Sequence, residues 1–284
     1  MWTATPRCYR ACMRRLAIFI LICASAVVPI AAASAPALSL ARGRAPIVLI
    51  VLENKMYKEL VGSPSAPYLN LTFIPQGTLF SNYSAITHPS LPNYLAMTAG
   101  DTLGCTTDNC AQNIPGANLF HQLDAGLIQW RAYEESMPSP CFGSNAGDYA
   151  VRHNPAVYYA DLTSGSCAAR DVPYPATLRQ PLAPFTFVTP NLCNDMHSCP
   201  IATGDSWLAV HVPDFLAAGA IVIITVDEGS ARRNQVMTAM VGPGIPAGVI
   251  DATSYTHYGL LAGIENYFGL ANLRQARTST PVPI

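Results

Sequence analysis

In a chain of 284 residues, 16 lysines and arginines face 17 aspartates and glutamates, for a formal net charge of −1. That balance offers no basic stripe for a phosphate backbone, so nucleic acid is set aside as a partner. Half of the residues are hydrophobic, enough for one large folded domain.

The first element is a leader. Arg7, Arg10, Arg14 and Arg15 precede the apolar run Leu16 to Ile30, and mostly small residues, Ala31 to Ala37, follow. Charged start, apolar middle and small-residue cleavage site are the order of a secretory signal. We expect residues 1–35 to be that signal and residues 36–284 a single catalytic domain, secreted or periplasmic. The apolar run is short for a bilayer span, so no stable membrane insertion is expected once the signal is removed. Three of the nine cysteines, Cys8, Cys12 and Cys23, leave with it. Six remain, an even number in an exported chain, which argues for three disulfides. The short spacings suggest the local pairs Cys105–Cys110 and Cys193–Cys199, leaving Cys141–Cys167. A zinc site competes for these thiols, but no pair has the two-residue spacing that zinc motifs favour.

Pro46 to Leu52 is a continuous apolar, β-branched run, the mark of a strand buried on both faces of a parallel sheet. It stops at Glu53-Asn54. Tyr68 to Ile74 reads as a short helix and Gly77 to Tyr83 as a second strand. Thr87-His88-Pro89-Ser90-Leu91-Pro92-Asn93-Tyr94 then turns into an apolar run. Pro92 suits a first helical turn, which puts Ser90 at the mouth of a helix, where anions collect. Taken alone, Ser90 is better explained as a helix cap without chemistry. Leu119 to Ala125 suggests a brief helix and Leu127 to Tyr133 a third strand. Glu134 to Pro184 shows little periodicity, and a loop of that length is usually functional or covalently tied. It contains the polar cluster Arg152-His153-Asn154. Phe185 to Thr189 is a fourth strand, and the ring Cys193 to Cys199 fixes Asp195 and His197. A helix is expected from Asp205 to Leu216, interrupted near Pro213. Ala220 to Val226 is the second strongly buried strand and runs into Asp227-Glu228. Val236 to Val241 is a further strand, and His257 heads an amphipathic helix from Tyr258 to Phe268.

Two buried strands ending in acid-rich pairs point to one chemistry. Ligands gather at the carboxyl ends of parallel strands, and three carboxyls buried together require a cation. The oxygen donors Glu53, Asn54, Asp227 and Glu228 suit calcium, magnesium or manganese better than zinc. A serine oxygen on that ion, Ser90, would become a nucleophile. His153, His197 and His257 would hold phosphate oxygens or donate a proton, and the Asn93 amide would hold a phosphate oxygen.

Glu53-Asn54, His88 to Tyr94, Asp195-Met196-His197, Asp227-Glu228-Gly229 and Thr256-His257-Tyr258 resemble, in this order, the secreted bacterial phosphoesterases. That family includes acid phosphatases and phospholipases C and belongs to the alkaline-phosphatase superfamily. The resemblance implies an α/β fold, a three-layer α/β/α sandwich on a mostly parallel central sheet. It also implies phosphorylation of Ser90, with Glu53, Asn54, Ser90, Asp227 and Glu228 as metal ligands. Two-metal relatives use an Asp-His pair where this chain has Asp227-Glu228, so one divalent ion is expected. The chain lacks the long insertions of phospholipases C, which favours an acid phosphatase acting on small phosphate monoesters. A phosphodiesterase or phospholipase C on the same site is the alternative. A secreted binding protein without catalysis is the reading from another class. Oligomeric state is left open.

Overall fold

A computed structural model describes residues 43–163, 165–178, 180–230 and 233–284. The expected signal, residues 1–35, lies outside them. In chain order the strands are β1 (Ile47–Leu52), β2 (Thr78–Phe80), β3 (Tyr83–Ser84), β4 (Trp130–Glu134) and β5 (Asp171–Pro173). They continue with β6 (Phe185–Thr189), β7 (Ile221–Val226), β8 (Thr238–Val241), β9 (Val249–Asp251) and β10 (Tyr255–Thr256). The longer helices are α1 (Ser90–Ala99), α2 (Leu119–Ala125), α3 (Ile201–Ala217) and α4 (His257–Phe268).

Eight strands form one sheet in the order β5-β4-β6-β1-β7-β8-β2-β9, in which only β8 runs against its neighbours. β3 and β10 pair separately, in parallel. Helices flank the sheet in a three-layer α/β/α sandwich. The two most apolar runs of the sequence, β1 and β7, lie side by side at its centre and are buried along their whole length. Their parallel register pairs Leu52 with Val226. Both strands therefore end at the same level, and Glu53-Asn54 emerges beside Asp227-Glu228.

The three cysteine pairs are Cys105–Cys110, Cys141–Cys167 and Cys193–Cys199. The Cys193–Cys199 ring leads directly into α3, which begins at Ile201 and passes through Pro213 unbroken. The expected interruption there does not occur. Proline forfeits one helix hydrogen bond, but Trp207, Leu208, Val212 and Phe215 are buried along the helix, and that packing outweighs the loss. Gly204 permits close contact between α3 and the ring, since a β-carbon there would lie 2.4 Å from Met196 Cγ. The expected strand from Gly77 to Tyr83 is two short strands, β2 and β3. β5, β9 and β10 were not anticipated: with two or three residues, each is too short to display a period of two.

Candidate active site

Ser90 is the first residue of α1 and is almost fully buried. Its hydroxyl donates to Glu53 Oε2 at 3.0 Å. One helical turn on, where side chains share a face, the Tyr94 hydroxyl donates to Glu53 Oε1 at 2.7 Å. The Tyr94 ring stacks on His153, with centroids 5.4 Å apart and planes within 9°. Glu53 is thus approached by two hydroxyls from α1 and by His153, whose Nε2 lies 3.3 Å from Oε2. His153 Nδ1 lies 3.3 Å from Asp195 Oδ2. On the other side, the Asn54 amide N–H donates to Asp227 Oδ1 at 3.0 Å. Asn54 sits in the left-handed region, φ 54°, a conformation asparagine tolerates better than most residues.

Burial, reinforced by the charges of Asp227 and Asp195, pushes Glu53 well above the usual carboxylate range. Burial first, then Glu228, raises Asp227 to about 7. Burial is also the main cause for Asp195, raised to about 8, and for Glu228, raised to about 7. Around these acids, Asp227 Oδ2, Asp195 Oδ2 and His153 Nε2 are buried without a hydrogen-bond partner. Glu53, His153 and Asp195 can each present a donor atom within 4.8 Å of the others. Buried acids and orphaned donors facing one another are the environment a divalent cation relieves. These residues fit a metal ion.

The other expected site residues are placed differently. Glu228 pairs with His88 Nδ1, so its carboxylate is turned toward the rim. Asn93 is buried beneath the turn that carries Ser90. Its Oδ1 accepts the Ile86 and Thr87 amides at 3.0 and 3.1 Å, and its Nδ2 donates to the Thr87 and Pro89 carbonyls at 2.9 and 3.0 Å. Both side-chain N–H groups are used here, so Asn93 clamps the turn where the sequence suggested a phosphate contact. His257 is buried with Nδ1 at 3.0 Å from the Tyr83 hydroxyl and Nε2 at 2.6 Å from the Asp227 carbonyl. Burial lowers it to about 4; the neutral ring supports the Asp227 backbone. His197 is exposed at the rim, and its backbone N–H donates to Asp195 Oδ1 at 2.7 Å.

A model of the phosphoesterase family matches residues 64–271, most of the chain. The chain belongs to the phosphoesterase family.

A phosphatidylinositol-3-phosphatase of Mycobacterium tuberculosis is 32% identical over 249 residues, covering 84% of this phosphoesterase and 81% of that enzyme. An acid phosphatase of Aspergillus fumigatus is 32% identical over 247 residues, covering 78% of this chain and 54% of its own. The phosphoesterase thus spans about half the length of that fungal enzyme. Among solved structures, an alkaline phosphatase superfamily protein from Vibrio parahaemolyticus matches with a TM-score of 0.59 at 12% identity, covering 82% of this chain and 69% of that one. This last likeness is one of fold. As a phosphoesterase, the chain is a hydrolase of phosphoric esters.

Sequence reasoning left Asp195 and Tyr94 without a role in the site. Tyr94 had a visible signal, its place one turn after Ser90. Asp195 had a weaker one, its position inside a disulfide ring two residues before a histidine.

Proposed function

We propose that this phosphoesterase is a secreted, metal-dependent acid phosphatase that hydrolyses phosphate monoesters through a phosphoserine at Ser90. The observation that carries the reading is the Ser90 hydroxyl, held at a helix start and donating to Glu53 among buried acids with orphaned oxygens. Relatives named acid phosphatase support the monoester preference. Glu53, Asp195 and Asp227, with His153, would hold the ion; Asn54 and Glu228 stand beside them. When bound, a divalent cation would make the serine hydroxyl more acidic and draw charge from the phosphoryl oxygens. His153 adds a nitrogen to the oxygen donors, so zinc joins calcium, magnesium and manganese as an ion for metal analysis to distinguish.

Ser90 Oγ attacks phosphorus while the bond from phosphorus to the ester oxygen breaks. The hydroxyl proton passes to Glu53 Oε2, which already accepts its hydrogen bond. The departing alkoxide takes a proton from His197, exposed at the rim. Water then attacks the phosphoserine and gives its proton to His197, left deprotonated by the first step. Glu53 returns the serine's proton to the departing Oγ, so that phosphate leaves with the serine hydroxyl restored. Asn93 keeps the turn in place throughout.

The Mycobacterium tuberculosis relative favours a second substrate, a phosphomonoester on an inositol lipid headgroup. Purified protein with each metal supplied in turn should be assayed on p-nitrophenyl phosphate, its bis-ester, phosphatidylcholine and vesicles containing phosphatidylinositol 3-phosphate. Turnover of the first or last, with little on the diesters, is expected. Strong cleavage of the diesters alone would move the chain to the phosphodiesterase reading. Absence of turnover on the whole panel would leave a binding protein.

A further inference from the structure

We propose that Arg152 binds a non-bridging oxygen of the substrate's phosphoryl group, and that Asp108, seated on the start of the nucleophile helix, positions it. The inference rests on the phosphoesterase reading above and gives roles to two residues which that reading does not use.

The acids around Ser90 pose a difficulty for the substrate. Glu53, Asp195, Asp227 and Glu228 bring four carboxyls to a site where a phosphate monoester adds further negative charge. Fixed cations must offset it besides any metal. Arg152 and Lys55 are the two whose charge is felt at both Asp195 and His197. Lys55 is occupied: its Nζ donates to the Met196 carbonyl at 2.7 Å and lies 3.4 Å from the Asn54 carbonyl.

Arg152 is held but not used up. Its Nη2 lies 3.2 Å from His197 Nε2, and its Nε is 3.7 Å from Asp108 Oδ2, an ion-pair distance too long for a hydrogen bond. A guanidinium carries five N–H donors, so among the described residues most of them keep no close acceptor. Its side chain is 19% exposed, confined yet open on one side. The next residue of the same turn, His153, reaches Glu53 at 3.3 Å. One short turn therefore delivers an imidazole to the acids and a guanidinium to the rim above them.

Asp108 connects that guanidinium to the nucleophile. Its Oδ1 accepts the amide N–H of Leu91, the residue after Ser90, at 3.0 Å, while Oδ2 faces Arg152. The Cys105–Cys110 disulfide closes the loop that carries it. A single carboxylate thus ties the backbone beside Ser90 to Arg152, and fixes how far the guanidinium stands from the attacking oxygen. The planar fork of an arginine suits two phosphoryl oxygens better than a lysine does.

The test compares the wild-type chain with Arg152→Gln, Arg152→Lys, Asp108→Asn and the double variant Asp108→Asn/Arg152→Gln. Calorimetry gives the dissociation constant of inorganic phosphate with metal supplied, and p-nitrophenyl phosphate gives KM and kcat. Arg152→Gln should weaken phosphate binding and raise KM by about tenfold or more, with a smaller fall in kcat. Arg152→Lys should recover part of that loss. Asp108→Asn should shift KM in the same direction by less, and the double variant should be no worse than Arg152→Gln alone. Wild-type phosphate affinity in Arg152→Gln, or losses that multiply in the double variant, would overturn the proposal. Should Arg152→Gln fail to fold, Arg152→Met, which keeps the apolar stem, is judged by the same phosphate affinity. A wild type that binds phosphate but turns over no ester overturns the proposed function instead, and phosphate affinity still decides Arg152.

Discussion

Two clusters of buried acids differ in what surrounds them. One is the group around Ser90. The other is Glu134, at the end of β4, with Asp171, at the start of the neighbouring β5. Burial, then the charge of Asp171, pushes Glu134 well above the usual range, and burial raises Asp171 to about 7. By acidity alone the clusters are alike. Yet Glu134 accepts the Thr189 hydroxyl at 3.3 Å and Asp171 accepts the Asn154 amide at 2.9 Å, both neutral donors. The sulfurs beside Asp171 are joined as Cys141–Cys167 and offer no thiolate to a metal. Asp171 Oδ1 is buried without a hydrogen-bond partner, as Asp195 Oδ2 and Asp227 Oδ2 are around Ser90. Of the two clusters, only the acids around Ser90 also face a hydroxyl at a helix start and an imidazole. A raised carboxyl pKa reports burial, and an orphaned oxygen occurs in both clusters; a potential nucleophile and an imidazole among the acids are what distinguish the site.

The largest effect that could break this contrast is at Ser90. Ser90→Ala should lower turnover of p-nitrophenyl phosphate by more than about a thousandfold, with a melting temperature within a few degrees of wild type. Activity close to wild type would remove Ser90 from the mechanism and leave the two clusters chemically equivalent.

A smaller but sharper comparison sets Asp195 against Asp171. Asp195→Asn should weaken metal retention by at least about tenfold, since it removes a donor from a small set. Asp171→Asn should leave metal content unchanged. Elemental analysis after dialysis reads both. Equal metal content in the two variants would place Asp195 outside the ion's surroundings and return the ligand set to the residues that follow β1 and β7.

Those last residues were the legible part. Two apolar runs, each ending in an acid-containing pair, identify strands buried in a parallel sheet, and the register of β1 on β7 does the rest. The cysteine pairs were legible because short loops limit the partners available. What stayed hidden depends on contacts between distant segments. Nothing near residue 153 announces that His153 will stack on Tyr94 and reach Glu53. Nothing near Asn93 shows that its amide will be consumed by the turn before it. Glu228 reads like Asp227 in the sequence, but alternation along the chain turns it to His88. His257 heads α4 as expected, yet tertiary packing sets it against the Asp227 carbonyl, where it is a support.

The smallest expected effect isolates the second cluster through pH. Asp171 titrates at about 7 when folded, against about 3.9 for an unperturbed aspartate. Over that interval the folded chain binds more protons than the unfolded one, so stability is full below about pH 4 and declines as pH rises through about 7. Glu134 acts in the same direction, because its shift is also upward. The active-site acids would add to this trend in chelated protein, whereas saturating metal favours their ionised forms and removes much of their share. Melting temperature against pH in metal-loaded protein therefore reports chiefly on Glu134, Asp171 and Glu265, which burial also raises to about 7, and Asp171→Asn isolates the share of Asp171. Asp171→Asn should flatten that curve, melting a few degrees above wild type at pH 8 and no higher than wild type at pH 4. Turnover at pH 5 should stay within about twofold of wild type, since neither acid contacts Ser90. Parallel curves for variant and wild type would mean that Asp171 is ionised in the fold at neutral pH, and the likeness in acidity between the two clusters would disappear.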